Sequence, residues 1–137
     1  MQAIQRVFLI DDDSIVNMIN ERIIKISNFT ASVTCYLEAR KALIDLNKII
    51  DTEPDNFPDV IFLDINMPEV DGWEFLEEYS KFPSSVLSRC NVYMLTSSID
   101  SNDIERAKTY DAVCDFISKP LSESWLEVIA SRINKIF

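Results

Sequence analysis

The sequence predicts an α/β fold, a doubly wound five-stranded parallel sheet with helices on both faces. Three observations lead there. Two short apolar runs, Val7-Phe8-Leu9-Ile10 and Val60-Ile61-Phe62-Leu63, show no polar alternation and end abruptly on carboxylates, Asp11 and Asp64. An unbroken run of β-formers belongs to a strand buried on both faces, the pattern of a central parallel strand. Strand-like and helix-like segments alternate five times along the 137 residues, an order that makes a parallel sheet joined by right-handed crossovers. The runs also finish on polar groups, and the C-terminal edge of an open α/β sheet is where ligands bind.

The elements follow in chain order. Residues 6–10 make the first strand and lead into Asp11-Asp12-Asp13. Ser14 is the expected cap of a helix in which Ile15, Met18, Ile19, Ile23 and Ile26 recur at helical spacing, marking one face for burial. Asn28 fits its end. Residues 31–36 alternate and are β-branched, a strand nearer the sheet edge. Residues 38–50 read as a helix with Ala42, Leu43, Leu46 and Ile50 on one side, and 51–58, with two prolines and no period, as a surface loop. After the strand at 60–63, Pro68 prevents continuation and Asp71 can cap the next helix, 73–79, with Phe75, Leu76 and Tyr79 inward. Residues 81–89 carry no clear signal. Residues 91–95 form a strand ending on Thr96-Ser97-Ser98. Asn102 and Glu105 have the spacing of a capping box for a polar helix through Tyr110. Residues 114–117 are the last strand, before Ser118-Lys119-Pro120. Ser122 can cap a final helix striped by Leu126, Ile129, Ala130, Ile133 and Ile136. Neither end signals a linker, so the expectation is one domain over residues 1–137 with no output domain.

Composition narrows the function. Hydrophobic residues at 47% and charged residues at 26% are globular proportions. A net charge of -10 argues against nucleic acid as a partner, because binding phosphates needs clustered Lys and Arg. No apolar run approaches a membrane span, and the N-terminus lacks the pattern of a signal peptide, so a cytoplasmic protein with no membrane partner is expected. Cys35, Cys90 and Cys114 are odd in number and scattered, the pattern of reduced core thiols. The absence of His excludes His-based catalysis and His metal sites, and a single Gly excludes Gly-rich phosphate loops.

Four strands end on reactive or charged groups: Asp11-Asp12, Asp64, Thr96 and Lys119. Parallel strands bring their C-terminal ends to one rim, so groups far apart in sequence can meet there. Three carboxylates together repel and favour a divalent cation, and an all-oxygen set suits Mg²⁺. A cation beside an ammonium and a hydroxyl makes a receptor for a phosphoryl group, with Asp64 the candidate nucleophile of an aspartyl-phosphate. Singly, Asp11-Asp12-Asp13 is an ordinary solvated turn, Thr96 an ordinary strand residue and Lys119-Pro120 an ordinary turn. Their joint occurrence at four strand ends carries the reading.

The segments FLIDDDS, DVIFLDINMPEVDG, VYMLTSS and FISKPLS resemble, in order, the motifs of response-regulator receiver domains, the CheY-like family. The resemblance covers essentially the whole chain. It implies a flavodoxin-like sheet of strand order 2-1-3-4-5. It implies Asp64 as phosphoacceptor, taking a phosphoryl group from a histidine kinase or His-phosphotransfer protein. It also implies Mg²⁺ as cofactor, held directly by Asp12, Asp64 and the backbone carbonyl of Asn66, with Asp11 acting mainly through water. Lys119 would pair with the phosphoryl oxygens across a cis Lys119-Pro120 bond. Thr96 would bond the phosphoryl group and shift inward on activation. The lack of His fits a donor that is another molecule. Two departures stand out. The switch position, often Tyr in the family, is Phe116, and the turn that often carries Gly reads Tyr110-Asp111-Ala112, where Asp111 can adopt positive φ.

The chain is therefore expected to be a phosphorylation switch. Its moving face would comprise the helix near Asn102, the last strand and the helix from Ser122. That face would meet an unidentified downstream protein or a second copy, in a monomer or weak dimer. Three other readings compete: a receiver-like binding module without phosphorylation, a haloacid-dehalogenase-type hydrolase, and a flavin-binding sheet. The complete Asp11, Asp12, Asp64, Thr96 and Lys119 set argues against the first. Asn66 stands where the hydrolase needs a second Asp, and an acidic rim repels a flavin phosphate.

Overall fold

In the computed structural model, which describes residues 4–30, 32–97 and 100–134, five parallel strands form one sheet in the order β2-β1-β3-β4-β5. Predictions resting on Ala31, Ser98 and Ile136 lie outside the described residues. The strands are β1 (Val7–Ile10), β2 (Val33–Tyr36), β3 (Val60–Asp64), β4 (Asn91–Thr96) and β5 (Val113–Ser118). Register aligns Ile10 with both Tyr36 and Leu63, Asp64 with Leu95, and Thr96 with Ser118, so the C-terminal ends finish nearly level.

The helices are α1 (Ser14–Ile26), α2 (Ala39–Thr52), α3 (Gly72–Tyr79), α4 (Ser84–Leu87), α5 (Ser101–Ala107) and α6 (Glu123–Asn134). They cover both sheet faces, which is why β1 and β3 are buried along their whole length. Side chains alternate across the sheet. Phe8, Ile10, Ile61, Leu63, Val92 and Met94 pack under α2 to α5. Val7, Leu9, Val60, Phe62, Tyr93 and Leu95 pack under α1 and α6. Each fully buried aliphatic side chain contributes roughly 1.5–3 kcal/mol relative to exposure. Strand β2 lies at the edge, and its Thr34 and Cys35 are exposed.

Several expectations hold. Ala42 and Leu46 are fully buried on α2, as are Phe75, Leu76 and Tyr79 on α3. Asp71 and Glu74 form a reciprocal capping box at the start of α3. Ser122 Oγ accepts the Trp125 N–H at the start of α6, whose Leu126, Ile129 and Ile133 point inward. Asn28, at φ 55°, closes α1. Its N–H reaches the Lys25 carbonyl, and the Phe29 N–H reaches that of Ile24.

Helix α1 is rotated half a turn from the expectation. Ile15, Met18 and Ile26 are more than 60% exposed, Ile19 is exposed and Ile23 only half-buried. Asn17, Asn20 and Ile24 point inward instead. At 3.6 residues per turn these three lie on the side opposite Ile15, Met18 and Ile26.

Two caps also differ. Asp13, not Ser14, caps α1, accepting the N–H groups of Ile15 at 2.9 Å and Val16 at 3.3 Å. A carboxylate there satisfies two orphan amides and meets the positive end of the helix dipole. Asp100 caps α5, accepting from the Asn102 N–H at 2.8 Å. Asn102 thus lies within the helix, which ends at Ala107 rather than Tyr110. The Asp111 turn needs no left-handed residue, since positive φ occurs only at Asn28 and Glu69 among the described residues. Cys35 and Cys114, on the two edge strands, are exposed, and only Cys90 is a core thiol. Helix α2 runs two residues into the expected loop, and α4 occupies the stretch that carried no signal. Among the described residues no helix is long and apolar enough to cross a membrane.

Candidate functional site

The site is the C-terminal rim of β1, β3, β4 and β5. Asp11 directly follows β1. Its N–H donates to the carbonyl of Tyr36 at 3.0 Å, extending the β1–β2 ladder by one bond, and its carboxylate is buried. Asp12, one residue on, is exposed. Asp64 and Thr96 are the last residues of β3 and β4, and both are buried. Lys119 follows β5 and precedes a cis peptide to Pro120. Its N–H donates to the Thr96 carbonyl at 2.7 Å, tying the two strand ends together.

Carboxylate oxygens of Asp11, Asp12 and Asp64 lie within 4.8 Å of one another. The Lys119 ammonium reaches into this cluster, 2.6 Å from Asp11 Oδ2 and 3.2 Å from Asp64 Oδ1. Burial, reinforced by the negative charge of Asp11, pushes the Asp64 carboxyl up to about 6, against the opposing pull of Lys119. Burial works to lower the pKa of Lys119, but its hydrogen bond to Asp11 and the charges of Asp64 and Asp11 prevail and raise it. The rim therefore holds more negative charge than one ammonium neutralises. The donor set is oxygen only, crowded and partly open through Asp12, which fits a small hard divalent cation.

The single glycine shapes the rim from α3. A Cβ on Gly72 would stand 2.6 Å from the Asp64 carbonyl oxygen and 2.9 Å from Ile65 Cα. Without one, the Gly72 N–H donates to the Ile65 carbonyl at 2.8 Å, and α3 begins directly against the end of β3. In the sequence this residue signalled only a turn. Asn17 is the other site residue that sequence reasoning missed. Its side chain donates to the carbonyls of Asp11 and Tyr36. Nothing in the sequence singled it out, since it stands on the face of an amphipathic helix that reads as solvent-facing.

Among the candidates, Asp11, Asp12, Asp64 and Lys119 converge, and Thr96 joins them through the Lys119 backbone. The Asn66 side chain is exposed two residues beyond β3. Phe116 lies within β5. It pairs with Met94, is half-buried, and lines a small groove with Ile104 and Ala107 of α5.

A family model described as the response regulator receiver domain matches residues 7–130. A crystal structure of a two-component response regulator from Cytophaga hutchinsonii superposes with a TM-score of 0.90 at 30% identity, covering 98% of this chain and 99% of that one. A response regulator receiver protein from Dyadobacter fermentans is similar, with a TM-score of 0.84 at 28% identity over 95% of this chain and 98% of that one. The hybrid signal transduction histidine kinase L of Dictyostelium discoideum is 32% identical over 136 residues, 95% of this chain but 7% of that protein. The chain spans a minor part of most curated relatives it matches, 15% of one and 20% of another.

Proposed function

The chain belongs to the response regulator receiver domain family, a family of signalling switches, and on that premise we propose that Asp64 accepts a phosphoryl group from a histidine kinase or His-phosphotransfer protein. One observation carries the assignment: Asp64 is the buried carboxylate that faces Asp11, Asp12 and the Lys119 ammonium together. In the transfer, the bond from phosphorus to the donor imidazole nitrogen breaks as one to an Asp64 oxygen forms, and the imidazole leaves with a proton. Asp12, Asp64 and the Asn66 carbonyl, with Asp11 through water, would hold Mg²⁺. When bound, the ion supplies positive charge to the crowded oxygens. Lys119, which pairs with two carboxylates in this state, turns to the phosphoryl oxygens. The same cluster acts in loss of the group, so the chain catalyses only its own phosphorylation and dephosphorylation.

The output follows from the neighbours of Asp64. Thr96 bonds the new phosphoryl oxygens, and the Phe116 ring moves further in against α5. This alters the surface of α5, β5 and α6 that a downstream protein or second copy meets. The donor docks on the other side of the rim, on the outward Ile15, Met18 and Ile19 of α1, an apolar face beside the acidic loop. This assignment goes with a cytoplasmic location.

Incubation with acetyl phosphate and Mg²⁺ should add one phosphoryl group, mapped to Asp64 by mass spectrometry. Asp64→Asn should abolish it while the circular dichroism stays native. A mutant that keeps the label would move the acceptor to another carboxylate.

A further inference from the structure

A helix that packs on a sheet ordinarily buries apolar side chains, and α1 has seven between Ile15 and Ile26. Of these only Ile24 is buried, and Asn17 and Asn20 are buried beside it, 3% and 1% exposed. Asn17 explains part of that inversion. Its Nδ2 donates to the carbonyl of Asp11 at 3.0 Å and to that of Tyr36 at 3.2 Å. Only the amide end of the side chain can serve two carbonyls, so its orientation is fixed by chemistry. The other end, Oδ1, is buried without a hydrogen-bond partner among the described residues. An aliphatic residue would have avoided that orphan acceptor.

The bonds converge on one short loop. The Asn17 backbone N–H donates to the Asp13 carbonyl at 3.1 Å, while its side chain holds the Asp11 carbonyl. Asp11 is also held by its own N–H on Tyr36. The main-chain bond to Asp13 is one that any residue at 17 would make, while the bond to Asp11, just before the exposed Asp12, belongs to the Asn side chain. The three carboxylates lie within 4.8 Å of one another with only Lys119 among them; their remaining repulsion favours an outward loop, and the Asn17 side-chain bonds oppose it.

We propose that Asn17 is a positioning residue that holds the backbone of Asp11 to Asp13 so that the carboxylates of Asp11 and Asp12 face Asp64, pre-setting the cluster for a divalent cation. The proposal rests on the receiver reading and adds to it a residue outside the cluster. Groups that orient metal ligands typically govern affinity by a factor of about 10–100.

The test uses Asn17→Leu, similar in volume but without donors, and Asn20→Leu, the same change one turn along the same buried face. Mg²⁺ affinity is measured by calorimetric titration, and folding by the melting temperature without metal. The expected result is a dissociation constant raised about tenfold in Asn17→Leu and within twofold of wild type in Asn20→Leu, with both variants folded. If the leucine at 17 does not fold, Asn17→Ala against Asn20→Ala makes the same comparison. Wild-type affinity in Asn17→Leu, or an equal loss in both variants, overturns the proposal and leaves the receiver reading intact. Wild-type protein that binds no Mg²⁺ overturns both.

Discussion

Helices α1 and α6 touch on one face of the sheet and share one core cluster, yet they turn their aliphatic residues in opposite directions. On α6, Leu126, Ile129 and Ile133 enter the core. On α1 only Ile24 is fully buried, while Ile15, Met18, Ile19 and Ile26 face solvent. The difference lies at their ends. Helix α1 starts immediately after the acidic loop and has backbone carbonyls to satisfy there. Asn17 does that only if its side of the helix faces the sheet, and the aliphatic stripe is then carried outward. Helix α6 has no buried carbonyls to serve; its polar tie to the sheet, Arg132 to Asp115, is at the surface, so its apolar stripe sets its orientation. An amphipathic helix thus follows its most demanding polar contact, and the apolar face left outside becomes available to a partner.

The contrast between α1 and α6 should be greatest in stability. Leu126→Ala should cost about 3 kcal/mol through lost burial and a cavity. Met18→Ala should cost under about 0.5 kcal/mol. Urea unfolding measures both. Similar losses would mean that the outward face of α1 is covered in the folded chain.

The rim beside α1 should make stability depend on pH. The folded-state pKa of Asp64, about 6, lies above its ordinary 3.8. The folded state thus binds more protons than the unfolded one between those values, and stability falls as pH rises through that window. Asp64→Asn escapes this loss. In EDTA the mutant should exceed wild type above pH 6 by on the order of 2 kcal/mol, allowing for solvent screening at the rim. The gap should close near pH 4. A gap that does not change with pH would mean that pairing with Lys119 fully offsets burial.

The smallest expected energy tests the outward face directly. Met18→Lys should slow phosphotransfer from a phosphorylated His-phosphotransfer domain about tenfold, or roughly 1.4 kcal/mol. Labelling by acetyl phosphate, which needs no docking surface, should not change. Equal slowing of both reactions would assign the effect to the rim and not to α1.

The strands, their parallel arrangement and the acidic rim are legible in the chain without its fold. Val7 to Ile10 and Val60 to Leu63 are local signals, and once parallel strands are inferred, Asp11, Asp64, Thr96 and Lys119 must share an edge. The Asp71 cap and the Asn28 stop are local too, since each involves backbone groups within a few residues. Which face of α1 turns inward depends on contacts from other parts of the fold. Its periodicity marked two faces, but the Tyr36 carbonyl that helps hold Asn17 comes from another strand. The close approach at Gly72 likewise depends on where Asp64 and Ile65 lie. In each case the deciding energy belongs to a contact between segments distant in the chain, and no local pattern of residues records it.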